Sequence, residues 1–371
     1  YTDTMILSKI LTNNEGVHKL AHLVNEYFQV ELDKTLQKGD NWTGDISQEH
    51  IFYCMKDAYY TYELYLKLIK KIEDAGLQAV LNLEMDALPA IIRLKRDGIP
   101  FDKEAWLIEV ARYRKEANEL AAEIRGKLNA PSLNLSSSGQ LIKALNNIGI
   151  EIADTEDETL MAYERDSEVI RKIRLWREKN KIVVSFGEKL AARVSTDGRI
   201  HGNWQLIGTK TGRMSASGPG LQQMPKVVKE YFRAQPGNIF IISDFSQIEL
   251  CVIAELSQDP NMVAALNAGA DLHIETAASL KRTESSKVTK EERGVAKEAN
   301  FGLIYGMMAS TLKERVKNRY NIELTDAEAA KIRSDYFKHY SGIRRYHDRQ
   351  LKSQTIKTMG GRIWRDIPEF P

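Results

Sequence analysis

Cysteine is scarce in this chain. Only Cys54 and Cys251 occur, far apart and in no paired motif. They read as reduced thiols of a cytosol-like compartment, which excludes a disulfide scaffold. Long apolar runs are missing too. None approaches the roughly 20 residues of a membrane span, so a cytoplasmic protein with no membrane partner is expected. No charged-then-apolar leader opens the chain, and no signal peptide is expected. Net charge is only +2, from 53 Lys and Arg against 51 Asp and Glu. Global charge therefore does not argue for a polyanionic partner, although local charge can. No glycine-rich phosphate loop of the P-loop type occurs. His18 and His22 in "HKLAH" lack the Glu of HExxH, which argues against zinc. There is no internal repeat and no low-complexity tract.

What is present is a soluble-type composition, 43% hydrophobic and 28% charged, in 371 residues. That length predicts two or three domains. Residues 1–75 read as helices, including "VHKLAHLVNEYF" and a long one from "SQEHIFYC" that stops at Gly76. Residues 80–130 read as two helices broken at "RDGIPFD". In "APSLNLSSSGQL" the serines are placed to cap the helix "GQLIKALNNIG". Residues 165–193 read as a basic helix or helix pair. "DGRIHGNWQLIGTKTGRMSASGPGLQQMP" reads as strand plus loop, and 261–350 as mainly helical. The fold class expected is mixed α and β, mostly helical.

Two segments carry chemistry. In "NIFIISDFSQIEL" the run Ile239–Ile242 is expected to be a central strand, with Asp244 at its end. A carboxylate there suits a Mg²⁺ ligand. The other reading is that Asp244 caps the helix beginning near Gln247, and on the segment alone this is the stronger one. In "EERGVAKEANFGLIYGM" Arg293, Lys297, Phe301 and Tyr305 fall four apart. They share one slowly winding helical face. Two cations followed by flat rings suit a nucleoside triphosphate. A solvated basic stripe running into a core-facing aromatic stripe fits the spacing as well, and spacing alone favours it.

Together the segments resemble family A DNA polymerases. "SDFSQIEL" is similar to motif A of that family and "RGVAKEANFGLIYG" to motif B, the finger helix. "DLHIETA" carries the family's histidine at His273. "TKTGRMSASGPGLQQMP" resembles TGRxSSxxPNLQNIP, with Gly220 and Gln223 in place of asparagines and Lys229 where an arginine is usual. "LNLSSSGQL" resembles the thumb loop on the duplex. The resemblance implies a right-hand polymerase. Thumb and the start of the polymerase domain would span 77–195, the first part of the palm 196–260, and the fingers 261–371. "QKGDNWTGDISQEHIFYCMKDAYYTYELYLKL" is similar to the end of an RNase H-like 3′–5′ exonuclease domain, at 1–76.

The same resemblance implies two-metal transfer from a dNTP to a primer 3′-hydroxyl, with two Mg²⁺ ions. Asp244 and the backbone carbonyl of Phe245 would be metal ligands. Lys297 would sit against the α-phosphate, and Arg293 and His273 would hold the outer phosphates as cations. Phe301 would stack near sugar and base, Tyr305 would pack at the templating position, Glu249 would exclude a ribose 2′-hydroxyl, and Gln247 would line the dNTP site. Residues 171–193 hold eight Lys or Arg against two Glu, which suits phosphate contacts. Arg177 and Lys181 match thumb positions on the primer–template. Arg213 and Gln222 match minor-groove readers, with Lys229 nearby, and Asn134, Ser136 and Ser137 would touch the backbone. Tyr53 and Asp57 fit the exonuclease YxxxD motif, Tyr53 orienting water and Asp57 binding a metal.

The chain opens without an initiator methionine and stops at "GRIWRDIPEFP". It contains neither the family's "VHDE" motif with the second catalytic aspartate nor the upstream acidic residues of the exonuclease. The expectation is a partial DNA polymerase of replication or repair, in a bacterial cell or phage-infected host, inactive alone. The alternatives are a split polymerase completed by a C-terminal palm fragment, and a non-catalytic primer–template-binding protein.

Overall fold

The computed structural model describes residues 2–37, 42–353 and 355–365. Part of the "QKGD" stretch, 38–41, and the tail from 366 lie outside the described residues. The chain forms two compact units. One is Tyr1–Glu123, Leu175–Phe240 and Lys357–Trp364; the other is Ile124–Arg174, Ile241–Ile356 and Arg365–Pro371. Among the described residues no helix is long and apolar enough to cross a membrane.

The architecture is mostly helical. In chain order the elements are α1 (Thr4–Thr12), α2 (Leu20–Phe28), α3 (Gln48–Asp74), α4 (Gln78–Asp97), β1 (Ile99–Pro100) and α5 (Lys103–Lys127). Next come α6 (Ser138–Asn146), α7 (Asp157–Tyr163), α8 (Glu168–Lys181), α9 (Glu188–Ala191), β2 (Arg199–Ile200), β3 (Asn203–Gln205), β4 (Ser215–Ser217) and α10 (Lys226–Lys229). Seven helices follow: α11 (Ile248–Ser257), α12 (Pro260–Asn267), α13 (Leu272–Lys281), α14 (Lys290–Leu303), α15 (Ala309–Tyr320), α16 (Asp326–His339) and α17 (Ser341–Leu351). Antiparallel pairs join β1 to β2, with Ile99 opposite Ile200, and β3 to β4, with Trp204 opposite Ala216.

In the first unit the helix limits follow local chemistry. Ser47 caps α3 in a capping box with His50, and Gly76 turns the chain beyond it at φ +65°. The expected break at "RDGIPFD" is the end of α4. Gly98 there has φ +59°, and the His201 ring lies where a Cβ would be, 2.8 Å from Cε1. Glycine answers both demands. Leu7, Leu64, Leu68 and Ile72 are fully buried in one cluster with Leu206 and Ile207. That cluster draws on residues either side of position 76.

Two local expectations are corrected. The run Ile239–Ile242 is not a buried strand. Ile239 is 83% exposed and Ile242 93%, and among the described residues no strand pairs with them. An apolar run becomes a central strand only when neighbours supply its ladder on both sides. The serines of the thumb-like loop do not cap α6 through their side chains, although Ser137 holds the N-cap position. The loop is tied instead by Asn134, whose Oδ1 accepts the Ser136 N–H at 3.0 Å and whose own N–H donates to Gln140 Oε1 at 3.0 Å.

The core of the second unit includes Leu250, Leu303, Leu312, Tyr336 and Ile343, all fully buried. Asp259 lies inside it with no exposed surface. Its Oδ1 accepts the N–H groups of Asn261 and Met262, capping α12, and its Oδ2 accepts the Gly342 N–H at 2.7 Å. One buried carboxylate thus serves the first turns of two helices, which is how a charge is tolerated in a core. The contact is close. A Cβ on Gly342 would lie 2.7 Å from the Asp259 Cα and 2.9 Å from its Oδ2. Gly342→Ala is therefore expected to destabilise the protein by about 1–3 kcal/mol, because backbone has to move. Urea denaturation measures it, and an unchanged midpoint would refute this packing.

Candidate functional site

Helices α13 and α14 carry the residues singled out for triphosphate binding. Asp271 precedes α13, and its Oδ1 accepts the N–H groups of His273 at 2.9 Å and Ile274 at 3.2 Å. Its Oδ2 accepts Nε and Nη2 of Arg293 at 2.9 and 2.7 Å. Burial alone would raise the Asp271 carboxyl. The Arg293 hydrogen bond, the two backbone N–H groups and the Arg293 charge outweigh it and hold the group below its ordinary value. Only Nε and Nη2 of the Arg293 guanidinium are engaged by Asp271.

Helix α14 begins at Thr289 with a capping box to Glu292 and presents Arg293, Lys297 and Phe301 as half-buried residues. Lys297 makes no hydrogen bond or ion pair with the described residues. The rings of His273 and Phe301 lie 5.4 Å apart. Tyr305 does not share the helical face expected of it: α14 ends at Leu303, and Tyr305 lies beyond that end, 60% exposed. The 570 Å³ cavity on α14 is a separate feature, lined by Glu291, Glu292 and Val295 rather than by Arg293 or Lys297.

The expectation of a cationic His273 is corrected. The ring is buried, and desolvation, with Arg293 and Lys297 nearby, pushes its pKa below the ordinary value despite Asp271. Asn300, which bonds this ring, and Thr276 and Tyr340, which follow it in a hydrogen-bonded chain, were not marked by sequence pattern. Asp271 was not singled out either, although an Asp just before a helical run is a signal that could have found it.

Asp244 stands on a segment with no regular structure, exposed and bonded to none of the described residues. It does not cap α11. The cap position belongs to Gln247, which makes no side-chain cap bond, adopts φ +52° and has a sealed, unpartnered Oε1. Such a backbone state is costly for a residue with a side chain and is enriched at functional sites. Glu249 follows in the first turn of α11. Asp244 and the Phe245 carbonyl fit a Mg²⁺ site as oxygen donors without a competing partner, and other ligands must join them. Among the described residues no group of three or more His, Cys, Asp or Glu could hold a metal ion.

The candidates for DNA contact fall in both units. The amide of Gln222 braces β4, accepting the Ala216 N–H at 3.0 Å and donating to the Met214 carbonyl at 3.2 Å. Arg213 and Lys229 are exposed. Of the basic stretch, Lys172 pairs with Glu168, Arg174 with Asp157 and Glu164, and Lys179 with Glu116. At least three of its eight cations are thus matched by carboxylates, which the local charge count hid. Arg177 is half-buried and Lys181 exposed on α8. Asn134 and Ser136 are exposed.

At the N-terminal end both oxygens of Asp57 lie 2.7 Å from Lys34 Nζ, which also stands 5.0 Å from the Tyr53 ring centre. One carboxylate already bearing an ammonium does not make a metal site. His18 lies before α2 begins and bonds Ser8 Oγ through Nδ1 at 2.9 Å, so it shares no helical face with His22.

Comparison with known proteins matches these segments to families. The family model described as DNA polymerase family A matches residues 108–365, and that described as 3′-5′ exonuclease matches residues 1–73. The chain is 29% identical over 373 residues to DNA polymerase I of Aquifex aeolicus (strain VF5), covering 94% of this chain and 64% of that protein. It is 29% identical over 377 residues to DNA polymerase I of Treponema pallidum (strain Nichols), covering 96% of this chain and 37% of that protein. The chain thus spans between about a third and two-thirds of these curated relatives. Its fold is similar to the POL domain of Pol1 from M. smegmatis, solved in complex with DNA primer-template and dNTP. The TM-score is 0.81 at 22% identity, covering 98% of this chain and 64% of that one.

The buried imidazoles set a pH dependence. His273, His339 and His347 of the second unit are all held below the ordinary histidine value, by desolvation first. Their neutral forms stabilise the fold above the unfolded value near 6.5, and this contribution is lost as pH falls below it toward the folded values. The urea midpoint is therefore expected to drop between pH 7.5 and 5.5. Replacing His347 with Gln should shrink the drop. A midpoint that rises on acidification would contradict the burial of these rings.

Proposed function

Because the chain belongs to DNA polymerase family A, we propose that it is the dNTP-selecting, primer–template-gripping part of a template-directed DNA polymerase. The observation that carries this reading is the clamp of α13 and α14. A carboxylate aims Arg293, His273 lies against Phe301, and Lys297 stands one turn along with no hydrogen-bond or ion-pair partner among the described residues. The reaction is attack of a primer 3′-hydroxyl on the α-phosphate of a dNTP, with pyrophosphate leaving. Lys297 neutralises charge near the α-phosphate, Arg293 forks onto outer phosphate oxygens, and His273 donates a hydrogen bond there. Phe301 stacks near sugar and base, Tyr305 packs at the templating position, and Gln247 and Glu249 border the ribose, where Glu249 excludes a 2′-hydroxyl.

Two Mg²⁺ ions, the proposed cofactor, supply when bound the positive charge that the attacking and leaving oxygens need. Asp244 and the Phe245 carbonyl would be this chain's ligands to them. Arg177, Lys181, Asn134, Ser136 and Ser137 contact DNA backbone, and Arg213, Gln222 and Lys229 flank the primer end. Minor-groove acceptors are shared by all correct pairs, so contact there tests pairing without reading sequence. The bare run at Ile239–Ile242 supports a further proposal. It pairs with further palm strands that carry the second carboxylate, such as a complementary palm fragment would supply. The proposed setting is bacterial or phage DNA replication or repair in the cytoplasm.

The test is primer extension by the chain mixed with a palm fragment of a family A polymerase, in Mg²⁺. Extension is expected in the mixture and lost in Asp244→Ala. Lys297→Ala and Arg293→Ala should each lower kcat/KM for dNTP at least about tenfold, ~1.4 kcal/mol of transition-state stabilisation. Glu249→Ala should admit ribonucleotides. Duplex binding with no rescued extension would favour a non-catalytic DNA-binding role.

A further inference from the structure

The two ring nitrogens of His273 have different surroundings. Nδ1 lies 2.9 Å from the Asn300 amide nitrogen, and Asn300 has no exposed surface. An amide nitrogen carries two hydrogens and accepts nothing, so Nδ1 can only accept. The orientation of that amide follows from its other neighbours. Its nitrogen also lies 3.2 Å from the Leu272 carbonyl oxygen, which only accepts. Its oxygen lies 3.0 Å from Thr276 Oγ1, a donor. Turning the amide over would set oxygen against oxygen at Leu272. Tyr340 completes the chain, with its hydroxyl 2.9 Å from Thr276 Oγ1 and only 1% of its surface exposed. Thr276 Oγ1 has a single hydrogen, shared between the Leu272 carbonyl at 2.6 Å and Asn300 Oδ1 at 3.0 Å, so the Tyr340 O–H is the donor of the third contact.

We infer that Asn300 is a positioning residue that fixes His273 as the neutral Nε2–H tautomer, so that the ring offers a triphosphate one donor and no charge. The inference rests on reading α13 and α14 as the triphosphate site, and extends that reading to the proton. Nε2 bonds none of the described residues and is not a sealed, unpartnered atom, so it is the edge of the ring that meets solvent. The charged groups acting on the ring are Asp271 from the head of α13 and Arg293 and Lys297 from α14. From the α16 side the nearest member of the network is the uncharged Tyr340. Arg293 and Lys297 oppose a third cation, and Asp271, which would favour one, already gives Oδ2 to Arg293. The amide hydrogen on Nδ1 closes the remaining route to a doubly protonated ring. Two fixed cations supply the charge and the imidazole supplies direction, so dNTP affinity should not follow the ordinary histidine titration near pH 6.5.

The test is nitrogen-15 NMR of the histidine-labelled chain, with the His273 signals identified by their loss in His273→Gln. At pH 7 the expected signature is an unprotonated Nδ1 and a protonated Nε2. A protonated Nδ1, or a doubly protonated ring, overturns the inference. In Asn300→Asp the carboxylate would accept a proton from Nδ1, so the tautomer should invert and the His273 titration move to higher pH. Thr276→Val, which only frees the amide from its donor, should loosen the preference without inverting it. An uninverted tautomer in a folded Asn300→Asp protein counts against the inference. Adding primer–template and matched dNTP separates the two layers. A shift at Nε2 alone supports both. An unmoved Nε2 with the expected tautomer upholds the positioning role and removes the triphosphate reading.

Discussion

The site depends first on one carboxylate with two duties. Asp271 gives one oxygen to the first backbone N–H groups of α13 and the other to the Arg293 guanidinium on α14. The cap fixes where α13 begins and hence where His273 stands. The ion pair fixes Arg293 relative to that helix. Charge-assisted bonds of this kind are roughly twice as strong as neutral ones, and their geometry is more specific. Asp271 is partly exposed, so its value lies more in orientation than in stability.

Helix capping by acidic residues recurs through the second unit. Asp259 does inside the core what Asp271 does at its edge, joining the first turns of α12 and α17. Thr289 with Glu292 and Thr325 with Glu328 start α14 and α16 as capping boxes. These four helix starts are therefore chemically marked, and side chains one to three turns along inherit their direction from them. The buried chain Tyr340–Thr276–Asn300–His273 then reaches from the end of α16 to the site. Satisfied polar networks of this sort select one arrangement of a core.

Much of this was legible in the sequence. The helix ends at Gly76 and at "RDGIPFD", the mainly helical run after 261 and the face of α14 follow from periodicity, turn chemistry and caps. The family resemblance of "SDFSQIEL" and "RGVAKEANFGLIYG" added what spacing could not, because four-residue spacing fits a bland amphipathic helix equally well. The failures share a cause. Ile239–Ile242 looks like a central strand, yet a strand is made by its neighbours, and pattern along one segment does not report them. The basic stretch at 171–193 looked uniformly available for DNA, yet Glu116, Asp157, Glu164 and Glu168 come from other turns or helices to meet three of its cations. His273 was taken as charged because composition carries no information on burial. Asn300 is one asparagine among many until packing places its amide against an imidazole.

If the geometry has the meaning proposed, a triphosphate must contact α14 itself. Photo-crosslinking with an azido-dNTP in the presence of primer–template, followed by peptide mapping, reads this directly. Labelling is expected within residues 290–305, competed by the template-matched dNTP and lost in Lys297→Ala. Labelling confined to other segments, or unaffected by matched dNTP, would contradict the assignment of α13 and α14 as a nucleotide clamp.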